Sequence, residues 1–315
     1  MTPSGTTSSR TLGRLTVSLV GLGCNNFGMR IDQERTQAVV DAALDAGITL
    51  FDTADIYGGT RSEVFLGQAL GAHRDEVVVA TKFGGPIGEG KGGARPAYVK
   101  EACEASLQRL GTDRIDLYQL HFPDDSTPIE DTLGALHELV EEGKVREIGC
   151  SNFDGARLDA SQAASTERGI ARFVSVQNQL SLLDRRQEAD TIAACERHGV
   201  GILPYFPLAS GMLTGKYRRG SEPPEGTRLA GMPAERRDKA MGDRTFDVVE
   251  ALTAFAEERG HTILELAMSW LATMPAMASV IAGATRPEQV RENASAVGWE
   301  LTHEERAEVD RLSRR

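Results

Sequence analysis

Three strand-end segments carry complementary chemistry: FDTADIYG at residues 51–58 with Asp52 and Tyr57, TKFG at 81–84 with Lys82, and QLHF at 119–122 with His121. Acid, phenol, amine and imidazole together suit a reaction in which negative charge develops on a substrate oxygen, as when a carbonyl carbon accepts hydride. A donor must then be held at that oxygen and must surrender a proton. Tyr57 is the candidate acid. A free phenol titrates near about 10, so an ammonium beside it, Lys82, is needed to bring the phenolate within reach at neutral pH. In this reading Asp52 pairs with Lys82 and keeps it charged and aimed, while His121 donates a hydrogen bond that orients the oxygen. Singly, such residues are ordinary packing, an ordinary ion pair and an ordinary satisfied imidazole; their joint spacing is what makes a site.

These segments must be brought together, and the rest of the chain has the rhythm to do it. Strand-like apolar runs at 19–22, 48–51, 77–80, 115–120, 145–148, 173–176, 200–203 and 278–281 alternate with amphipathic stretches at 33–46, 63–70, 97–110, 129–142, 154–164 and 186–198. Repeated βα units around a parallel sheet give this pattern. Gly47, Gly71, Gly111, Gly143 and Gly199 stand where a helix prefers a left-handed residue after its end. No GxGxxG follows the first strand, which counts against a doubly wound sheet. The expectation is one α/β domain over residues 1–315, a single (β/α)8 TIM barrel with an N-terminal β-hairpin around residues 12–18 and a Gly-, Pro- and Arg-rich loop at 207–245 after strand seven. In such a barrel the catalytic groups sit at the C-terminal ends of the strands.

Composition narrows the partners. Lys and Arg number 35 against 46 Asp and Glu, a net charge of −11, which repels nucleic acid and anionic membranes at long range. No stretch approaches the roughly 18 apolar residues of a membrane span. Cys24, Cys103, Cys150 and Cys195 lack CxxC spacing and read as small apolar residues, with no metal site and no disulfide expected. The polar start MTPSGTTSSR does not look like a secretory signal, and a cytoplasmic location is expected. His73, His137, His198, His261 and His303 read as solvated, and Trp270 and Trp299 as packing.

Over nearly its full length the sequence resembles the aldo-keto reductases. The segments FDTADIYG, ATKFG, SLQRLGTDRIDLYQLH, EEGKVREIGCSNF, VQNQLSLLDR, PLASGMLTGKY and VIAGATRPEQVRENASA carry the likeness, in the family's order. The resemblance implies a catalytic tetrad of Asp52, Tyr57, Lys82 and His121 and a nicotinamide cofactor, NADP(H), bound extended without a Rossmann domain. It implies Ser151, Asn152 and Gln177 as ligands of the carboxamide and Tyr205 as the aromatic stacked on the nicotinamide ring. Phe206 stands where the family usually has Ser, which removes one hydroxyl contact to the pyrophosphate. The backbone around Pro207, Leu208, Ser210 and Gly211, with Lys216, must then carry more of that binding. Gly283, Thr285, Arg286, Gln289, Glu292 and Asn293 match positions at the adenosine end. Gly283 occupies a place where some members have Lys, and Arg228 in the long loop is a second candidate cation. An apolar substrate pocket is expected from Phe27, Met29, Ile56, Phe83, Phe122 and Phe153.

The implied activity is NADPH-dependent reduction of an aldehyde or ketone. Two alternatives share the pattern. One is a cofactor-sensing subunit like the potassium-channel β proteins, which resemble this chain but carry Asn at the position of His121. The other is a reductase of an unsaturated nucleotide-linked sugar, for which Lys91 and Arg95 would supply cations at the pocket mouth.

Overall fold

Eight short parallel strands wrap around a common axis in the computed structural model, which describes residues 8–88, 91–186 and 188–314. A hairpin, β1 (Ser9–Leu12) and β2 (Leu15–Ser18), comes first; part of the polar N-terminal stretch read above lies outside the described residues. The barrel strands are β3 (Val20–Gly23), β4 (Leu50–Asp52), β5 (Val78–Phe83), β6 (Ile115–Leu120), β7 (Val145–Ser151), β8 (Phe173–Gln177), β9 (Gly201–Ile202) and β10 (Val280–Gly283). They are hydrogen-bonded in the order β10-β3-β4-β5-β6-β7-β8-β9. Ala278 N donates to Ile202 O at 3.0 Å and Ile281 N to Pro204 O at 3.1 Å, which joins the two ends and closes the barrel.

Helices clothe the outside: α1 (Gln33–Asp45), α2 (Arg61–Leu70), α3 (Pro96–Leu110), α4 (Ile129–Glu141), α5 (Gly155–Arg168) and α6 (Glu188–His198). Local sequence sets their ends. Asp32 and Asp154 accept from the third residue of α1 and α5, which satisfies one of the free N–H groups of a helix start. All five glycines singled out as helix stops have positive φ, as at Gly111 (64°) and Gly143 (73°). After β9 the chain is less irregular than its composition suggests. The 207–245 loop holds a short 3-10 segment (Ala209–Thr214) and helix α7 (Ala234–Ala240), and α8 (Asp243–Glu257) has begun before it ends. Helices α9 (Ile263–Ala272), α10 (Pro287–Ser295) and α11 (His303–Ser313) complete the chain.

Successive side chains of a strand point to opposite faces, and here that alternation separates two apolar clusters. Leu50, Val78, Ala80, Leu117, Leu203 and Ile281 point into the barrel and pack with Leu12, Leu15 and Val17 of the hairpin. Phe51, Val79, Phe83 and Tyr118 point outward into the helix layer. The hairpin therefore stoppers the N-terminal mouth, latched at its turn by Arg14, whose backbone N donates to Glu147 Oε1 at 2.7 Å. Among the described residues, the barrel's cavity opens at the other mouth. Truncating the stopper with Leu12→Ala, at a fully buried position, is expected to cost about 2–5 kcal/mol. A urea midpoint unchanged from wild type would show that the hairpin is not part of the core.

Candidate active site

The inward face of β4, β5 and β6 becomes polar one layer above the apolar plug. Asp52 follows Leu50, Lys82 follows Ala80 and Gln119 follows Leu117, each two residues on and so on the same face. Lys82 is completely buried. Its Nζ donates to Asp52 Oδ1 at 2.8 Å, Asp52 Oδ2 at 2.7 Å and the Thr53 carbonyl at 2.8 Å, and it is also hydrogen-bonded to Tyr57. Asp52 Oδ1 also accepts from Gln177 Nε2 at 2.8 Å and Gln119 Nε2 at 3.3 Å. Burial by itself would lower the Lys82 pKa, but the Asp52 carboxylate above all, with the hydrogen bonds to Asp52 and Tyr57, outweighs it and holds it above its ordinary value. The amine is an ammonium.

That ammonium lies 5.0 Å from the centroid of the Tyr57 ring. Tyr57 lines the cavity and is not fully covered as a residue, yet burial pushes its phenol above the ordinary value, with Lys82 opposing the rise. Lys82 thus tempers the effect of burial without reversing it, and the phenol keeps its proton at neutral pH. His121 stands edge-on to Tyr57 at 5.8 Å between ring centroids and stacks flat on Phe122 at 4.3 Å. Burial, and secondarily the charge of Lys82, push the imidazole down to about 3. It is therefore neutral near pH 7, able to donate one hydrogen bond without bringing a charge.

Tyr57 and His121 face a cavity of about 990 Å³ at the C-terminal mouth. Asp52 reaches its floor, while Lys82 stays behind it. Every position assigned above to the cofactor contributes to the wall of this one cavity. Nearest the tetrad, Asn152 is held in a left-handed conformation (φ 62°) by donating to the His121 carbonyl at 2.9 Å and accepting from the Tyr205 hydroxyl at 2.8 Å. Ser151 Oγ donates to the Gln177 carbonyl at 2.7 Å. Lys216, Arg228, Arg286, Arg30 and Arg35 also line the wall, with the carboxylates Glu225 and Glu292. Phe206 is half under the Arg228 guanidinium, 4.7 Å from its ring. A Cβ added at Gly283 would come 3.3 Å from the side-chain ends of both Asn25 and Asn26, which would have to yield by a few tenths of an ångström.

Of the six residues expected to form an apolar substrate pocket, Ile56 and Phe122 line the cavity. Phe83 does not: one residue after inward-facing Lys82, it points out and stacks on Tyr118 at 4.7 Å. Phe27 and Phe153 are also core, Phe153 edge-on to Phe173 at 5.9 Å, and Met29 lies outside the lining with 59% of its surface exposed. Lys91 turns to Glu101 at 3.6 Å, and neither it nor Arg95 borders the cavity. Conversely, Gln119, Asn25, Asn26, Arg30 and Arg35 belong to the site and escaped the sequence reading. Each follows or ends a barrel strand except Arg35, so the strand-end rule that marked the tetrad would have found most of them.

The profile of the aldo/keto reductase family matches residues 19–314. The chain belongs to this family of oxidoreductases. It is 32% identical over 290 residues to a probable voltage-gated potassium channel subunit beta of Arabidopsis thaliana, covering 90% of this chain and 88% of that protein. A probable subunit of the same kind from Oryza sativa subsp. japonica is 32% identical over 296 residues, covering 91% and 90%. Among solved structures, a glycerol dehydrogenase of Gluconobacter oxydans superposes with a TM-score of 0.82 at 31% identity, covering 97% of this chain and 95% of that one. Among the described residues no helix is long and apolar enough to cross a membrane.

Behind the tetrad, on the turn that carries Tyr57, Asp55 is fully buried and its carboxyl group has no side-chain hydrogen-bond partner among the described residues, only the adjacent Ile56 backbone N–H. Burial, then the neighbouring Glu63 carboxylate, raise its pKa to about 7, with Arg109 and Lys82 opposing. The folded chain holds this proton where an unfolded carboxyl, of pKa about 3.9, has lost it. Stability should therefore fall as pH rises from about 4 to about 7 and level off above that, by about 1.4 kcal/mol per unit at most. Asp55→Asn keeps the shape of the neutral acid. It should be more stable than wild type at pH 8, by no more than about 4 kcal/mol, and should lose that advantage near pH 4. Urea midpoints at pH 4, 6 and 8 that differ by a constant amount would rule this out.

Proposed function

We propose that the protein reduces the carbonyl group of an aldehyde or ketone with NADPH, Tyr57 acting as the general acid. The observation that carries this reading is the fully buried Lys82–Asp52 pair set beside a protonated phenol and a neutral imidazole at the floor of one cavity. When bound, the reduced nicotinamide supplies the hydride. Tyr57 gives its proton to the substrate oxygen as charge builds there, and Lys82 stabilises the phenolate left behind. His121 donates to the same oxygen and fixes its position, at no electrostatic cost to the neighbouring ammonium. Asp52, gripped by Lys82, Gln119 and Gln177, holds the ammonium in place.

The cavity suits a dinucleotide in shape and charge. Its wall offers the amides of Asn152 and Gln177 and the ring of Tyr205, together with five cations against two carboxylates on a chain of net charge −11. That local excess favours a polyanion, and the additional 2′-phosphate of NADPH would use it more fully than NADH. The neutral His121 supports catalysis over a purely cofactor-sensing role such as a channel subunit would have. The placement of Lys91 and Arg95 away from the cavity lends no support to a nucleotide-linked sugar.

Tyr57→Phe should bind NADPH nearly as wild type and lose about 100- to 10,000-fold in carbonyl reduction, the usual worth of general acid catalysis. Single-turnover NADPH oxidation with a panel of aldehydes and ketones measures it; retention of a third of the wild-type rate would remove Tyr57 from the role. Arg286→Ala should weaken NADPH by about 1.5–3 kcal/mol, the range for hydrogen bonds to charged groups, and leave NADH nearly unchanged. Fluorescence titration of both nucleotides decides this, and equal losses would mean that Arg286 does not read the 2′-phosphate.

A further inference from the structure

The start of helix α2 carries a capping signal that its own helix does not use. Thr60-Arg61-Ser62-Glu63 has the spacing of a capping box, in which hydroxyl and carboxylate each accept from the other residue's backbone N–H. Helices α9 and α11 form that box, with Thr262 and Glu265 and with Thr302 and Glu305. At α2 it is absent: Thr60 is left-handed, with φ 75°, and its side chain makes no cap bond. Glu63 turns inward instead and is completely buried. Its Oε1 accepts from Thr81 Oγ1 at 2.6 Å and its Oε2 from Arg109 Nε at 2.6 Å. Burying a charge is costly unless it is paired and hydrogen-bonded. Arg109, from α3, supplies the opposite charge, and Thr81 the second bond.

Those partners connect the helix start to the tetrad. Thr81 immediately precedes Lys82 in β5, and alternation sends the two side chains to opposite faces of the barrel wall, Lys82 inward to Asp52 and Thr81 outward to α2. Glu63 therefore grips from outside the stretch of strand that carries the buried ammonium. Helix α2 follows directly on the turn that carries Tyr57, and Ser62 N donates to the Tyr57 carbonyl at 3.2 Å. Ser62 adds a second anchor, for its Oγ donates to the Cys24 carbonyl at 2.8 Å and accepts from Thr53 Oγ1 at 2.8 Å. The Thr53 carbonyl is itself an acceptor of Lys82. The first turn of α2 is thus tied to β5 by Glu63 and to the end of β4 by Ser62, and Tyr57 is held between those ties and Lys82.

We propose that Glu63 is a positioning residue for the reaction: through its bond to Thr81 it fixes the turn of Tyr57 against the strand of Lys82, and so sets the contact between phenol and ammonium. It acts from behind, since it is not part of the cavity wall. The proposal rests on the reading of Tyr57 as the general acid.

The test removes one hydroxyl. Thr81→Val replaces Oγ1 by a methyl of similar size and leaves the Glu63–Arg109 pair, and with it the charge behind the tetrad, in place. Single-turnover hydride transfer from NADPH at saturating carbonyl substrate should slow by about tenfold to a hundredfold, the scale of a misplacement on the order of an ångström. NADPH affinity by fluorescence titration should stay within about twofold, a split that places the loss in the chemical step. Thr81→Ser keeps the hydroxyl and should transfer hydride within about threefold of wild type. Thr81→Ala makes the same deletion without pressing a methyl on the carboxylate and should be as slow as Thr81→Val. Thermal melts establish that each variant is folded at the assay temperature. A merely structural bond predicts lower melting with unaltered transfer, so a rate within about threefold of wild type in Thr81→Val or Thr81→Ala would overturn the proposal. Equal slowing in Thr81→Ser would assign the effect to packing, and a parallel loss of NADPH affinity would assign it to the cofactor site; either overturns it. A Tyr57→Phe chain with the wild-type rate would overturn the acid reading beneath, whereas an inactive Tyr57→Phe beside unaltered transfer in Thr81→Val defeats this proposal alone.

Discussion

A lysine with no solvent exposure is the constraint around which the barrel is organised. Taking an ammonium out of water costs several kcal/mol unless an opposite charge and hydrogen bonds replace the lost hydration. Lys82 receives both, from two oxygens of Asp52 and one backbone carbonyl. Asp52 in turn must satisfy its remaining lone pairs, and Gln119 and Gln177 do so from two further strands. Four strands are thereby committed to one polar layer, and through Asp52 and Gln177 it opens onto the cavity that Tyr57 lines. Removing either charge would leave its partner buried and unpaired, so the pair defines the site's geometry more than it adds to stability.

The apolar plug beneath that layer matters for the same reason. With Leu12, Leu15 and Val17 filling the opposite mouth, the barrel admits solvent at one end only. Burial then acts on Tyr57 and His121 in chemically opposite directions, raising the phenol and lowering the imidazole. The result is two uncharged donors beside a permanent cation. A single environment thus prepares a proton donor and a neutral hydrogen-bond donor, and no residue has to be tuned separately.

Much of this was legible in the sequence because strand ends and alternation are one-dimensional signals. The eight runs, the glycines after the helices and the polar clusters behind β4, β5 and β6 could be read directly. Phe83 shows how the same signal is lost when only proximity is used: adjacent to Lys82, it was taken for a pocket residue, but period two sends it to the opposite face. The 207–245 segment misled in another way. Its Gly, Pro and Arg content suggested a long irregular loop, whereas α7 and the start of α8 occupy its second half; α7 buries no residue, and its Ala, Glu, Arg and Lys content carries the helix propensity that the Gly and Pro count hid.

Backbone strain follows the cavity wall, and its location separates two kinds of precision. Asn152, Phe206 and Ser210 have φ of 62°, 54° and 59°, a region that costs a non-glycine residue on the order of 1 kcal/mol or more and persists only where surroundings impose it. At Asn152 the imposing contacts are visible: its amide spans the His121 carbonyl, Ser151 and Tyr205, so the strained residue fixes the imidazole's strand end and the aromatic wall relative to each other. Phe206 and Ser210 stand in a stretch that is braced differently. Ala209 N donates back to the Phe206 carbonyl at 2.9 Å and Gly211 N to the Leu208 carbonyl at 2.8 Å, short turns that bend the chain tightly around one wall of the cavity. The tetrad is positioned by buried charge and needs no unusual backbone of its own, since Asp52 and Lys82 lie in regular strand. The surrounding wall has few buried charges to fix it and is shaped by strained turns instead. Rigid electrostatics at the floor and conformational strain along the wall are therefore separable means of positioning.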